Sequence, residues 1–194
     1  LIGIVGLLGA GLIINPVSTI VVAFALLNAM YFFDVFFNLY MTMKTLKSSN
    51  EYTATTRELE KVSDSDLPVY TVLCPLYKEA NIIPQFVQAM SKLEWPKNKL
   101  DVMLLLEEDD VATIQAAEDS NLPSFIRIVV VPHSMPKTKP KATNYGLSFA
   151  KGEYVVIYDA EDIPDPYQLK KVYLAFQKAP NTTVCLQAKL NYYN

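Results

Sequence analysis

The sequence predicts an α/β fold: a mostly parallel sheet with helices on both faces, preceded by a hairpin of two apolar transmembrane helices. Two observations carry this. No Asp, Glu, Lys or Arg occurs from Leu1 to Phe33, Asp34 is the first charge, and every Lys and Arg lies after Met43. From Pro68 onward, short apolar runs alternate with stretches of helical character, the order that gives repeated strand–helix–strand units and parallel pairing.

The apolar part divides at Asn15-Pro16, a turn signal. Before it lies Leu1–Ile14, with glycines at 3, 6, 9 and 11, and after it Val17 to about Met43. At about 1.5 Å per residue, Val17–Phe33 alone reaches about 26 Å, close to the hydrocarbon core of a bilayer. Residues 1–43 are therefore read as two transmembrane helices with a turn near 15–16, and a lipid bilayer as a partner. A signal peptide fits less well, because no basic n-region precedes the apolar run. A soluble helical hairpin rarely carries so long an uncharged stretch. Lys44, Lys47, Arg57 and Lys61 follow the second span and place the rest on the cytoplasmic side. Residues 44–67 read as a polar linker, with room for a surface helix.

Beyond Pro68, strands are expected at 69–75, 100–106, 126–131, 154–158 and 183–190. Helices are expected at 82–93, 110–119, 141–150 and from Asp165-Pro166 to about Lys178. The second strand is almost continuously apolar, as a parallel strand covered on both faces should be. Because the chain begins with Leu and ends inside a strand-like run, it reads as a piece of a longer protein.

Composition excludes some functions. A formal net charge of −3 and a pI near 5.2 provide no basic footprint for nucleic acid. Cys74 and Cys185 each sit in an apolar run, which suits buried packing in a reducing compartment and makes no metal site. No P-loop, GxGxxG fingerprint or Ser-His-Asp arrangement is present. The lone His133 is read as a loop residue.

Ligands of parallel sheets bind outside the carboxyl ends of the strands. The first strand leads into Pro75-Leu-Tyr-Lys-Glu79, the second into Glu107-Glu-Asp-Asp110, the third toward Lys137-Thr-Lys-Pro-Lys-Ala-Thr-Asn144, and the fourth into Asp159-Ala-Glu-Asp162. Singly, each has a plainer reading: packing for Tyr77, a helix N-terminus for the first acidic run, a surface loop for the lysines, a solvated turn for the second acidic run. Together, sheet topology gathers an aromatic, two acidic clusters and a lysine cluster on one rim. That set suits a nucleoside diphosphate joined to a leaving sugar. Carboxylates after the fourth strand can hold a hard divalent cation, a lysine can neutralise the departing diphosphate, and Tyr77 offers a face for a base.

These four segments, in this order, resemble inverting family 2 glycosyltransferases of the GT-A fold, a Rossmann-like architecture. The likeness is to bacterial membrane-bound synthases related to cellulose and hyaluronan synthases, within an exopolysaccharide subgroup, and it covers about residues 68–194. The resemblance implies that Tyr77 and Glu79 contact the nucleotide base, that Glu107 or Glu108 binds the uridine, that Lys141 lies near the diphosphate and that Asn144 supports that turn. It also implies that Asp159 and Glu161 match the ends of the metal-binding Asp-x-Asp motif. The second acid is Glu161 here, with Asp162 adjacent, so either can be the second ligand. The implied cofactor is Mg2+ or Mn2+, the donor a UDP-sugar, the acceptor a polysaccharide, and the location a bacterial cytoplasmic membrane. The family's general base and its Gln-x-x-Arg-Trp segment lie further downstream than Asn194, so 68–194 is expected to bind donor and transfer nothing alone. A catalytically silent receptor or scaffold that keeps the fold is the second reading. A sugar-1-phosphate nucleotidyltransferase fits less well, because Pro75–Glu79 contains no glycine.

Overall fold

The computed structural model describes residues 2–47 and 51–188, and the chain divides into two compact units, Leu1–Glu51 and Tyr52–Asn194. The first holds helices α1 (Ile2–Ile14) and α2 (Pro16–Lys47). They break at Asn15 because Pro16 has no N–H to continue the ladder. The Asn15 side chain instead accepts from the Ser18 N–H at 3.1 Å and caps α2. Where the helices meet, Gly11 faces Thr19: a Cβ there would fall 2.8 Å from the Thr19 hydroxyl. Within α2, Asn28, Asn38 and Thr42 each donate to the carbonyl four residues back at 2.8 Å, which gives one donor of each side chain a partner inside the helix. The stretch Pro16–Leu46 is long and apolar enough to cross a membrane. The 13 residues of α1 extend about 20 Å, short of a hydrocarbon core.

The second unit opens with α3 (Thr56–Lys61), a surface helix within the expected linker. It starts at a capping box in which the Thr55 hydroxyl accepts from the Glu58 N–H and the Glu58 carboxylate accepts from the Thr55 N–H. The segment is tied down: the Lys99 ammonium donates to the carbonyls of Asp64, Ser65 and Leu67 at 2.7–2.9 Å.

Four strands follow among the described residues: β1 (Tyr70–Leu76), β2 (Leu100–Glu107), β3 (Ile126–Val131) and β4 (Tyr154–Ile157). All pairs are parallel, in the order β3-β2-β1-β4. The chain steps outward from β1 to β3, then crosses back to place β4 on the other side of β1. The strand order therefore reverses between β1 and β4, where crevices of such sheets form. Every residue of β1 and β2 is buried. On one face, Val72, Cys74, Val102 and Leu104 pack with Phe86 and Met90 of α4 (Ile83–Ser91), Ala117 of α5 (Val111–Asp119) and Leu169 of α7 (Gln168–Lys178). On the other, Leu73, Met103, Leu105 and Val129 pack against Ala142 of α6 (Lys139–Leu147). Helices thus cover both faces, as expected.

Several boundaries differ from the sequence reading, and α4 and α6 stop at Ser91 and Leu147, short of the expected 93 and 150. Helix α6 begins at Lys139 rather than 141, because the Thr138 side chain caps it and Pro140 occupies its first turn. Helix α7 begins at Gln168, because the Asp165 carboxylate instead accepts from the Tyr167 N–H at 2.8 Å and closes a turn. The strand expected at 183–190 is absent over 183–188, the rest lying outside the described residues. Leu186 lines a hollow with Val156 of β4 and Phe176 of α7, but Val184 is 91% exposed and Cys185 is exposed too, against the buried packing expected of that cysteine.

At the amino ends of the strands a buried polar rivet joins four segments. Arg127 Nε donates to Asp101 at 2.7 Å, the Thr71 hydroxyl donates to Asp101 at 3.1 Å, and the Gly152 N–H donates to the Thr71 hydroxyl at 2.8 Å. A Cβ on Gly152 would sit 2.5 Å from the Thr71 backbone nitrogen, which cannot yield, so only glycine fits. Burial pushes the Asp101 carboxyl up, but the bonds and charge of Arg127, with Thr71 and the Lys151 N–H, outweigh it and hold the group below the usual aspartate range. Arg127→Met strands a buried carboxylate and should lower unfolding free energy at pH 7 by about 2–4 kcal/mol. A depressed pKa contributes stability above the unfolded value of about 4 and loses it as pH falls through the folded value. The gap between wild type and variant in urea melts should therefore narrow from pH 7 into the acid range.

Candidate donor-binding rim

The polar residues leave the carboxyl ends of the strands together. Glu107, the last residue of β2, is 4% exposed. Such a carboxylate needs a counter-charge, and Lys141, in the first turn of α6, provides it at 2.8 Å while also donating to the Ser134 carbonyl at 3.2 Å. Glu108, next along, is exposed, and its Oε2 accepts from the His133 backbone N–H at 2.9 Å. Beyond β4, Asp159 is paired with Lys139 at 2.7 Å. Asp162 folds back so that its Oδ2 accepts from the Asp159 N–H at 2.9 Å, while Glu161 is exposed.

Lys137, Lys139 and Lys141 therefore behave as a comb. Lys137 pairs with Asp109 in the turn after β2, Lys139 with Asp159 after β4, and Lys141 with Glu107 at the end of β2. One short segment thus reaches acids on both sides of β1. Asp109 lies below the usual aspartate range, chiefly through its hydrogen bond from Lys137, and that lysine is correspondingly raised. Lys139 is raised first by its bond to Asp159, with Glu79 and Glu161 adding through their charge, so Glu79, Asp159 and Glu161 share one electrostatic neighbourhood. Tyr77, 38% exposed, donates its hydroxyl to Asp109 at 3.4 Å, and the Lys137 ammonium lies 5.1 Å from its ring centre. Asn144 is exposed on α6, with no side-chain hydrogen bond to the rim among the described residues.

Three contributors escaped the sequence reading of the site. Lys137 and Lys139 were visible only as neighbours of Lys141, and their separate partners depend on where α6 starts. Asp110 was visible as the first residue of the helix expected at 110–119, and the structure makes it the N-cap of α5 instead. Its Oδ1 accepts from the Thr113 N–H at 3.3 Å, capping α5, and its Oδ2 accepts a short bond from the Lys78 N–H. Cys74, under this rim, is fully buried; burial pushes its thiol well above the ordinary range, so it is no nucleophile.

No cluster of three or more His, Cys, Asp or Glu side chains among the described residues forms a ready-made cation cage. The donors after β4 are all carboxylate oxygens, and Asp159 with Glu161 leaves carboxylate oxygen accessible. Such a pair fits a hard divalent cation of the Mg2+ type, which takes one or two protein carboxylates and completes its shell with phosphate oxygens and water.

Comparison with known proteins agrees with this architecture. Residues 71–194 match the family described as glycosyl transferase family 2. The chain is 29% identical over 102 residues to the probable glycosyltransferase YdaM of Bacillus subtilis (strain 168), covering 52% of this chain and 24% of that protein. It is 28% identical over 131 residues to cellulose synthase 2 of Novacetimonas hansenii, covering 67% of this chain and 8% of that protein. Among solved structures, the mannosyltransferase PcManGT from Pyrobaculum calidifontis, in complex with GDP-Man and Mn2+, superposes with a TM-score of 0.52 at 21% identity, covering 77% of this chain and 42% of that one. The chain spans less than half the length of each of these relatives.

The comb predicts an asymmetric response to lysine removal. Lys141→Met leaves Glu107 buried and unpaired and should cost about 2–4 kcal/mol in urea unfolding. Lys139→Met breaks a half-exposed pair and should cost less than about 1 kcal/mol.

Proposed function

The chain belongs to glycosyl transferase family 2, and we propose that its rim binds a UDP-sugar and that the whole protein transfers the sugar, with inversion, to a polysaccharide acceptor. The observation that carries the reading is the lysine comb, which pairs with acids on both sides of β1 and leaves two of them, Asp109 and Asp159, open to solvent. In this proposal the Tyr77 ring stacks on the base, and Glu79 lies beside it. Of the two adjacent glutamates, Glu108 accepts hydrogen bonds from the nucleoside: it is exposed and stationed by the His133 N–H, whereas Glu107 is committed to Lys141 in a buried pair. Lys141, fixed by that pair, steadies the diphosphate, and Asn144 supports the turn.

Asp159 and Glu161 would hold Mg2+ or Mn2+, because Asp162 already accepts the Asp159 N–H. A divalent cation bound there supplies positive charge to the departing diphosphate. The ammonium of Lys139, seated on Asp159 in this structure, is then free to join the phosphate oxygens. A bilayer span within residues 16–46, and the second unit on the cytoplasmic side, complete the proposal. Its support there is the apolar stretch 16–46, with Lys44 near its C-terminal end and Lys47 just after it.

Calorimetry on full-length protein tests it. Wild type should bind UDP-sugar more tightly with Mn2+ than without, and Asp159→Asn should lose that metal-dependent gain, about tenfold or more. A variant that keeps the wild-type affinity together with its metal-dependent gain overturns the assignment.

A further inference from the structure

We propose that Asp110 is a positioning residue that clamps the turn after β1, holding Lys78 in a left-handed backbone so that Tyr77 and Glu79 both reach the comb. This rests on the donor-binding reading above, which leaves Asp110 without a role. Lys78 has φ of 59° and is the one non-glycine residue with positive φ among the described residues. An L side chain avoids that region, and it persists where surrounding bonds over-determine it. The bond that does so comes from the turn after β2: the Lys78 N–H donates to Asp110, 32 residues away.

The acceptor is well placed to act at a distance. Asp110 is 7% exposed, so its carboxylate has little water to turn to. Its Oδ1 is held by the Thr113 N–H at the first turn of α5, which fixes where Oδ2 points. Burial pushes the carboxyl up, but the bonds from Thr113 and Lys78 outweigh it and keep the group charged, the stronger form of acceptor. The turn thereby gains a fixed geometry. On one side of Lys78, Tyr77 meets Asp109 and Lys137; on the other, Glu79 contributes to the field at Lys139. An aspartate has two acceptor oxygens and serves both helix and turn, whereas a serine caps the helix and has one oxygen too close to its own backbone to reach Lys78.

The experiment separates clamping from capping. Asp110→Ser, which retains an α5 cap, should speed amide exchange in peptides spanning 76–80 and weaken UDP binding by full-length protein about tenfold, the scale of one unsupported left-handed residue. Adding Lys78→Gly, which adopts positive φ without cost, should bring binding back to within about threefold of wild type. A loss that glycine does not rescue, or an Asp110→Ser variant with unchanged exchange and affinity, overturns the clamp. A wild type that fails to bind UDP while Asp110→Ser still loosens residues 76–80 removes the donor reading and leaves the clamp standing.

Discussion

Everything at the carboxyl rim depends on three lysines at alternate positions meeting three carboxylates from two different strand ends. Lys137 and Lys139 stand at the entrance to α6 and Lys141 in its first turn, so their spacing is set by where the helix begins. Thr138 and Pro140 set that start. The helix is in turn located by small residues: Ala142 packs on the sheet, and Gly146 lies so near Leu105 that a Cβ would come within 2.6 Å of its methyl. Ordinary packing on one face of the sheet thus decides where three charges stand at its edge.

The two ends of the sheet treat charge oppositely. At the amino end, Asp101 and Arg127 are enclosed with the Thr71 hydroxyl, beside an aromatic cluster in which Tyr70 meets Trp95 at 5.3 Å and Tyr154 at 5.7 Å. Groups there have their partners and nothing left to offer a ligand. At the carboxyl end, Glu107 and Asp110 are buried, but Glu108, Asp109, Asp159 and Glu161 remain open to solvent. Buried acids anchor the frame, and exposed neighbours one or two residues away keep carboxylate oxygens open to solvent. That division lets adjacent carboxylates in Glu107–Asp110 do different things with the same chemistry.

Much of this was legible in the sequence, for physical reasons. The uninterrupted apolar run Leu100–Leu106 announced a strand covered on both faces, and alternation of strand and helix implied parallel order, from which the gathering of Tyr77, Glu107, Lys141 and Asp159 on one rim followed. What was not legible required three-dimensional partners. Nothing in the run Lys137-Thr-Lys-Pro-Lys141 states which lysine meets which acid, because that depends on the helix start and on β4 lying beside β1. The positive φ of Lys78 leaves no mark in a residue with no preference for it, and its acceptor is 32 positions away. The apolar pattern from Thr183 misled because such a pattern becomes a strand only beside a partner, and over 183–188 no ladder forms.

Segments between a strand and a helix usually drift in length during evolution, since surface loops absorb insertions cheaply. The stretch from Pro136 to Lys141 does not have that freedom. Removing one residue from it would take the ammonium groups out of register with their acids and leave Glu107 buried without a cation. The piece of chain that looks most like a connector is therefore the one whose length is most tightly fixed.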